Sequence, residues 1–126
     1  MAAVKFTVEL VVQTHQLPDF KRLAREMNAI VRIDEPRTLQ CQWFFHEGED
    51  TWYLTEMFPD SDAFLQHLAD VSPQLEQLLE IAEVSRFEVF GDLSLAARAA
   101  IASFGVKYFT LWEGVSRERL TRSPER

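Results

Sequence analysis

The sequence predicts an α+β fold in which the elements follow the order strand, helix, strand, strand, helix, strand. Four segments carry the apolar and β-branched patterns of strands, and two segments between them repeat apolar residues at helical spacing. The second and third strands are separated only by a short polar turn, which indicates a hairpin. Two βαβ-like halves joined through a hairpin give the ferredoxin-like architecture, an antiparallel four-stranded sheet with both helices on one face.

The first strand and the first helix follow from periodicity. Between Val4 and Gln13 every second residue is strongly apolar, as in a strand with one buried face. Pro18 suits a first helical turn. The residues after it place apolar side chains at helical spacing: Phe20, Leu23, Met27, Ile30 and Val31. Pro36 ends this helix because proline cannot continue it.

The hairpin, the second helix and the fourth strand come next. Thr38–Phe45 and Thr51–Phe58 are rich in β-formers and aromatic residues, and the polar residues between them form the turn. Asp60 or the serine after it can cap a second helix. The inward face of this helix carries Phe64, His67, Leu68 and Val71. Pro73 predicts either a bend or a separate short helix, and Val84–Gly91 is the fourth strand.

An extension from residue 92 follows the core. Ser94–Phe104 is rich in alanine and predicts a helix closed by a C-cap glycine, and Val106–Trp112 has the composition of a strand. No internal repeat divides the chain, so residues 1–115 are expected to form one domain. Residues 116–126 intersperse arginines with Glu, Ser and Pro, and they predict a disordered tail.

The composition excludes several classes of function. The chain has 126 residues with 20 acidic and 13 basic side chains, and its formal charge of -7 repels phosphate backbones, so no nucleic-acid partner is predicted. No run approaches the roughly 20 apolar residues of a membrane span. No signal-peptide pattern opens the chain, and its one cysteine cannot form an intramolecular disulfide. The sequence therefore predicts a cytoplasmic protein without a membrane partner.

Both faces of the predicted sheet carry apolar side chains. One face carries Trp43, Phe45, Trp52 and Leu54, and the opposite face carries Phe44, Tyr53 and Met57. Because two helices cover only one face, a second copy of the chain is the economical cover for the other. This pattern predicts a homodimer whose two sheets pack face to face. The alternative is that the C-terminal strand and tail fold across that face within one chain.

Two segments resemble the antibiotic biosynthesis monooxygenase family. The run EPRTLQCQWF, from Glu35 to Phe44, resembles the family's EPGTLxY pattern at the start of the second strand. The run YLTEMFPDSDAFLQHL, from Tyr53 to Leu68, resembles its ExYxDxxAxxxH motif, with the acid and the histidine at the same separation. With the preceding strand and helix, the resemblance covers about residues 4–91. Arg37 stands where the family often has glycine, and Cys41 stands where it often has tyrosine.

The resemblance implies a dimeric α/β barrel of ferredoxin-like subunits, each with a cavity between the sheet and the helices. Many members oxygenate quinols or polycyclic phenols without metal or flavin, so the resemblance implies that no cofactor is needed. The haem-degrading branch is disfavoured, because the asparagine expected on its first strand is absent between Val4 and Gln13. The extension lies outside the common core and is expected to close one end of a cavity, either its own or the partner's.

His67 and Glu56 are the predicted catalytic pair. On an otherwise apolar helix face the imidazole of His67 is buried and needs a partner. Glu56 lies roughly 7 Å before the end of its strand, and His67 lies roughly 9 Å along the returning helix, so both lie at nearly the same level. Glu56 would accept one imidazole proton and leave the other nitrogen free as a base. The alternative is a structural bond that only joins the helix to the strand.

Aromatic and basic residues complete the predicted ligand site. The side chains expected to contact a flat apolar substrate are Trp43, Phe45, Trp52, Phe64 and Arg37, with the arginine attracting an enolate or phenolate. The same aromatic residues are also ordinary core residues at strand and helix spacing. Metal binding is not predicted, because His15, His46 and His67 fall on different elements and no HxH or CxxC spacing occurs.

The leading functional hypothesis is a cofactor-independent monooxygenase that oxidises a small aromatic quinol or phenol with O2, with His67 as the base. The alternative is a non-catalytic dimeric barrel that binds a small apolar ligand or a protein partner. The two hypotheses predict different geometries. An open cavity that one imidazole nitrogen faces favours the enzyme, whereas a sealed pocket with His67 bonded on both nitrogens favours the binding protein.

Overall fold

The computed structural model describes residues 3–48 and 50–117. The strands are β1 (Val4–Val12), β2 (Gln40–Phe45), β3 (Thr51–Phe58), β4 (Ala82–Phe90) and β5 (Lys107–Phe109). The helices are α1 (Leu17–Asp34), α2 (Ser61–Ile81) and α3 (Leu95–Ala100), and single 3-10 turns span Thr14–Gln16 and Ala102–Phe104. The predicted α+β order of elements is confirmed.

The strands form one sheet in the order β2-β3-β1-β4-β5. β1 pairs antiparallel with β3 and β4, and β2 pairs antiparallel with β3, which is the ferredoxin-like arrangement. β1 lies at the centre and buries every second side chain: Val4, Phe6, Val8, Leu10 and Val12. These residues pack against apolar side chains of α1 and α2, so both helices cover the same face of the sheet.

α2 is one continuous helix. It begins after Asp60, whose carboxylate accepts a hydrogen bond from the backbone N–H of Ala63 at 2.9 Å. It contains Pro73 within its length, so the prediction of a separate short helix is wrong. The buried side chains of Val71 and Leu78 lie on either side of the proline. Their packing on the sheet offsets the hydrogen bond that the proline removes.

The extension adds α3 and β5 to the edge of the core. Oγ of Ser94 caps α3 by accepting a hydrogen bond from the backbone N–H of Ala97 at 3.2 Å. The following 3-10 turn ends at Gly105, whose φ of 65° lies in the left-handed region that favours glycine. β5 then pairs parallel with β4. The predicted extra helix and strand are confirmed, and both are shorter than the sequence pattern suggested.

The face of the sheet opposite the helices, called the open face below, exposes large apolar side chains. Phe44 is 51% exposed, and the partly exposed rings of Phe90 and Phe109 stack with centroids 5.1 Å apart. β5 lengthens the sheet at its edge and does not cross this face. The alternative in which the C-terminal strand and tail cover the open face is therefore wrong for the strand, whereas most of the tail lies outside the described residues. The homodimer stays a prediction.

Two further predictions concern the tail and membrane insertion. The predicted disordered tail, residues 116–126, lies outside the described residues apart from its first two. Within the described ranges, no helix combines the length and the apolar character that crossing a bilayer requires.

Candidate active site

Three ionisable side chains from separate parts of the chain meet between the helices and the sheet. Glu35 follows α1 directly, and its φ of -127° leaves the helical region because Pro36 comes next. Glu56 lies on β3, beside Cys41 of the neighbouring strand β2. His67 lies on the buried stripe of α2. We refer to Glu35, Glu56 and His67 as the buried triad.

The imidazole of His67 is hydrogen-bonded to both carboxylates. Nδ1 lies 2.9 Å from Oε1 of Glu35, and Nε2 lies 2.9 Å from Oε2 of Glu56. His67 is 1% exposed, and each glutamate is 7% exposed. Thr38 also donates from Oγ1 to Oε1 of Glu35 at 2.8 Å. The expected contact between Glu56 and His67 is present, whereas the second nitrogen that was expected to be free is bonded to Glu35.

His67 is held in its doubly protonated form. Burial by itself would lower its pKa, but the hydrogen bonds and negative charges of Glu56 and Glu35 outweigh burial and raise the pKa to about 9. Ionised carboxylates only accept hydrogen bonds, so both ring N–H groups donate. The raised pKa favours the imidazolium form at neutral pH, and in that form neither ring nitrogen has a lone pair to act as a general base.

Further hydrogen bonds surround the triad. Sγ of Cys41 donates to Oδ1 of Asn28 at 3.4 Å and lies 4.0 Å from Oε2 of Glu56. Nε1 of Trp43 donates to the same oxygen of Asn28 at 2.9 Å. Burial and the negative charges of Glu56 and Glu35 raise the pKa of the Cys41 thiol. The thiol therefore stays protonated and acts as a hydrogen-bond donor instead of a nucleophile.

An apolar cavity between the sheet and the helices reaches the triad. Its volume is about 70 Å³. The ionisable side chains in its lining, among the described residues, are Glu56 and His67. Apolar side chains of β1, β3, β4, α1 and α2 form most of the remaining wall, and Ile101 and Phe104 add to it from the extension. The extension therefore borders the cavity of its own subunit.

The predicted aromatic contacts divide into two groups. Trp43 and Phe64 line the cavity. Trp52 lies outside the lining and packs against Phe20, with ring centroids 5.0 Å apart. Phe45 pairs across the hairpin with Trp52 and is 62% exposed. Both residues occupy the expected face, but they lie at the end of the hairpin, away from the cavity.

Arg37 is not brought to the cavity. Its guanidinium forms an ion pair with the carboxylate of Asp60, the residue that caps α2, and more than half of the arginine side chain is exposed. The expected attraction of a phenolate by Arg37 therefore has no support in this geometry. Arg37 instead joins the segment after α1 to the start of α2.

Glu35 is the member of the site that sequence reasoning missed. It follows the periodic part of α1, so no pattern marked it as buried, and 32 positions separate it from His67. One local signal was present, namely an acidic residue held between a helix end and a proline. Asn28 was missed because it lies on α1 beside strand β2, a contact that helical spacing alone does not show.

The arrangement of possible metal ligands bears on the prediction that no metal is bound. Within residues 3–48 and 50–117, no three His, Cys, Asp or Glu side chains are arranged to hold one metal ion. Each imidazole nitrogen of the triad is bonded to a carboxylate.

Comparison with known proteins identifies the fold. No family model and no curated protein sequence matches the chain. Among solved structures, MupZ from Pseudomonas fluorescens is 19% identical, with a TM-score of 0.82 over 94% of this chain and 98% of MupZ. A Caulobacter crescentus CB15 protein assigned as an antibiotic biosynthesis monooxygenase is 17% identical, with a TM-score of 0.64 over 73% of this chain and 91% of its own. SnoaB, a cofactor-independent oxygenase from Streptomyces nogalater, is 16% identical, with a TM-score of 0.62 over 75% of this chain and 96% of SnoaB.

Sequence identity at this level supports a shared fold and nothing finer. The element order and the sheet topology described above agree with that conclusion. The chain has the ferredoxin-like α+β fold of the antibiotic biosynthesis monooxygenases, which its two sequence motifs predicted.

Proposed function

We propose that this protein is a cofactor-independent monooxygenase in which Glu56 accepts the hydroxyl proton of a small phenol or quinol held in the apolar cavity. The observation that carries the proposal is the placement of the triad, with Glu56 and His67 in the cavity wall. A proton acceptor and a fixed positive charge then lie side by side in an apolar surrounding, where charges interact strongly. The description of SnoaB as a cofactor-independent oxygenase supports the oxygenation step.

A purely structural role accounts poorly for the triad. Two glutamates and one histidine are buried together, and Oε2 of Glu35 has no hydrogen-bond partner among the described residues. Buried charges are costly to desolvate, and apolar replacements of such groups are often neutral or stabilising. Clusters of this kind with a strongly shifted pKa are typical of functional sites.

In the proposed reaction the substrate supplies the electrons. Glu56 takes the hydroxyl proton, and the imidazolium of His67 stabilises the phenolate electrostatically. An electron-rich ring carbon that carries a hydrogen, para to the oxygen in a phenol or ortho to it in a quinol, bonds to O2. That carbon then loses its hydrogen as a proton while the O–O bond breaks, so one oxygen remains as a carbonyl. The other oxygen takes up this proton and the one that Glu56 returns, and it leaves as water. A phenol is thereby oxidised by four electrons to a quinone.

Oxygen uptake by the metal-stripped full chain, with a panel of quinols and anthrone-like phenols, tests this proposal. We expect uptake above the autoxidation of the substrate. Glu56→Gln should lower the uptake by about 100-fold or more, because the amide still hydrogen-bonds but cannot accept the proton. Glu83→Gln, which removes an exposed carboxylate from β4, is the matched control and should leave the uptake unchanged.

Two results would contradict parts of this proposal. Equal rates with and without protein across the whole panel would exclude the oxygenase. Uptake that persists in Glu56→Gln would exclude only the role given to Glu56.

A non-catalytic barrel that binds a small apolar ligand is the second candidate. The bonding of both His67 nitrogens favours it, because such a triad can join Glu35, β3 and α2 without turning over a substrate. This candidate predicts that phenol binds in calorimetry while no oxygen is consumed.

A further inference from the structure

The extension contributes directly to the wall of the cavity. Ile101, just after α3, and Phe104, in the following 3-10 turn, line the cavity together with Phe87 of β4. Ile101 is almost fully buried, and the rings of Phe104 and Phe87 lie with their centroids 5.7 Å apart. A segment outside the four antiparallel strands therefore sets part of the space available to a ligand.

Specific contacts anchor the extension to the core. The backbone N–H of Ser94 donates to Oγ of Ser61 at the start of α2, at 2.9 Å. Ala97 of α3 is completely buried. The guanidinium of Arg98 lies 4.1 Å from the ring centroid of Tyr108, which joins α3 to β5. The wall that the extension forms is thus a fixed part of the molecule.

The extension is similar in size to the part of this chain that two of the structural neighbours leave unmatched. The Caulobacter protein and SnoaB leave about a quarter of this chain unmatched, although nearly all of each of them is covered. The segment from residue 92 onwards has that size. The cavity wall formed by Ile101 and Phe104 therefore belongs to a part of the chain that corresponds in size to what these neighbours lack.

We propose that Ile101 and Phe104 determine ligand size and restrict the cavity to molecules with a single aromatic ring. This inference rests on the proposed ligand site. The volume of about 70 Å³ is smaller than the roughly 150 Å³ of an engineered cavity that holds one benzene molecule. One ring already requires side chains in the wall to shift, and a second fused ring needs the space that Phe104 occupies. The substrate class is then a monocyclic phenol or quinol.

Isothermal titration of the full chain with phenol and with 1-naphthol tests this inference. In an unrestricted apolar site 1-naphthol binds more tightly, because it buries more apolar area. We expect the wild type to bind phenol about tenfold more tightly than 1-naphthol, a typical discrimination by pocket size. Phe104→Ala should remove or reverse this preference by opening the wall.

Two further variants keep the test decisive. Phe109→Ala removes a ring of β5 that stacks on Phe90 outside the cavity lining, so the preference for phenol should stay as in the wild type. Phe104→Leu makes a smaller change to the wall and should give an intermediate preference. It replaces Phe104→Ala if that variant does not fold.

The outcomes separate this inference from the proposed function. If the wild type binds phenol but the preference changes by less than about twofold in a folded Phe104 variant, the size-determining role is overturned and the ligand site stands. Tighter binding of 1-naphthol by the wild type would overturn the restriction in the same way. If neither probe binds any of these proteins, the proposed ligand site fails, and this inference fails with it.

Discussion

His67 donates one hydrogen bond to Glu35 and one to Glu56, and all three side chains are buried. Each ring nitrogen is bonded to a carboxylate, and the raised pKa of His67 favours the charged imidazolium over the free base that the sequence suggested. Glu56 lies in the cavity wall and can accept a proton, whereas Glu35 is absent from the lining. In the proposed reaction the roles are therefore divided: Glu35 holds the imidazolium in place, His67 supplies the positive charge and Glu56 accepts the proton.

The raised pKa of His67 makes the stability of the fold depend on pH. The folded chain has a pKa of about 9 at this residue, against 6.5 for an unperturbed histidine. A raised folded pKa gives a stabilisation that is fully present below the unfolded value and is lost as the pH rises through the folded value. We expect this residue to lower the free energy of unfolding by about 3 kcal/mol between about pH 6 and about pH 10. Urea denaturation across that range measures the effect.

His67→Gln is the control for this pH dependence. Glutamine does not titrate, so this contribution should be absent from the same denaturation series. A wild-type stability that stays flat through pH 9 would contradict the imidazolium assigned to His67.

The elements show what the sequence could and could not predict. Thr51–Phe58 was located correctly because alternation, a polar turn and a following proline are all local signals. The same alternation placed Phe45 and Trp52 on the helix face, yet it could not show that this end of the hairpin lies away from the cavity. Glu35 escaped notice for a related reason, because its burial depends on α2 packing beside the end of α1.

Asp60 stabilises the start of α2 in two ways. One carboxylate oxygen caps the helix through the N–H of Ala63, and the other accepts from Arg37. Asp60→Ala should lower the free energy of unfolding by about 1–2 kcal/mol, since the cap is lost. Arg37→Ala should lower the free energy of unfolding by less than about 1 kcal/mol, because exposed ion pairs contribute little to stability. Urea denaturation of both variants measures the difference. Asp60→Ala removes both the cap and the ion pair, whereas Arg37→Ala removes only the ion pair, so equal losses of stability would contradict the contribution assigned to the cap.

For the whole molecule, the unequal cover of the two sheet faces is the main feature. The helices cover one face and bury most of its apolar side chains, whereas the open face exposes aromatic rings of β2, β4 and β5: Phe44, Phe90 and Phe109. Large apolar side chains exposed on an uncovered sheet face favour an interface. A second copy of the chain is the partner that the sequence pattern predicts.

Size-exclusion chromatography with light scattering tests this association. We expect the wild type to have twice the 14.6 kDa mass of one chain. Phe44→Glu places a charge in the proposed interface and should give single chains. Leu95→Glu, an equally drastic change at an exposed position of α3, should leave the pair intact. A wild-type mass of one chain would contradict the dimer.

Among the strands of the described residues, β5 pairs with β4 alone, the strand that precedes it along the chain. The register of β2, β3, β1 and β4 is therefore independent of the segment that carries Ile101 and Phe104. A change confined to that continuous stretch of the gene can reshape the cavity wall while Glu56 on β3 and His67 on α2 keep their places. If these two residues act as proposed, such a change would alter ligand preference without altering the chemistry.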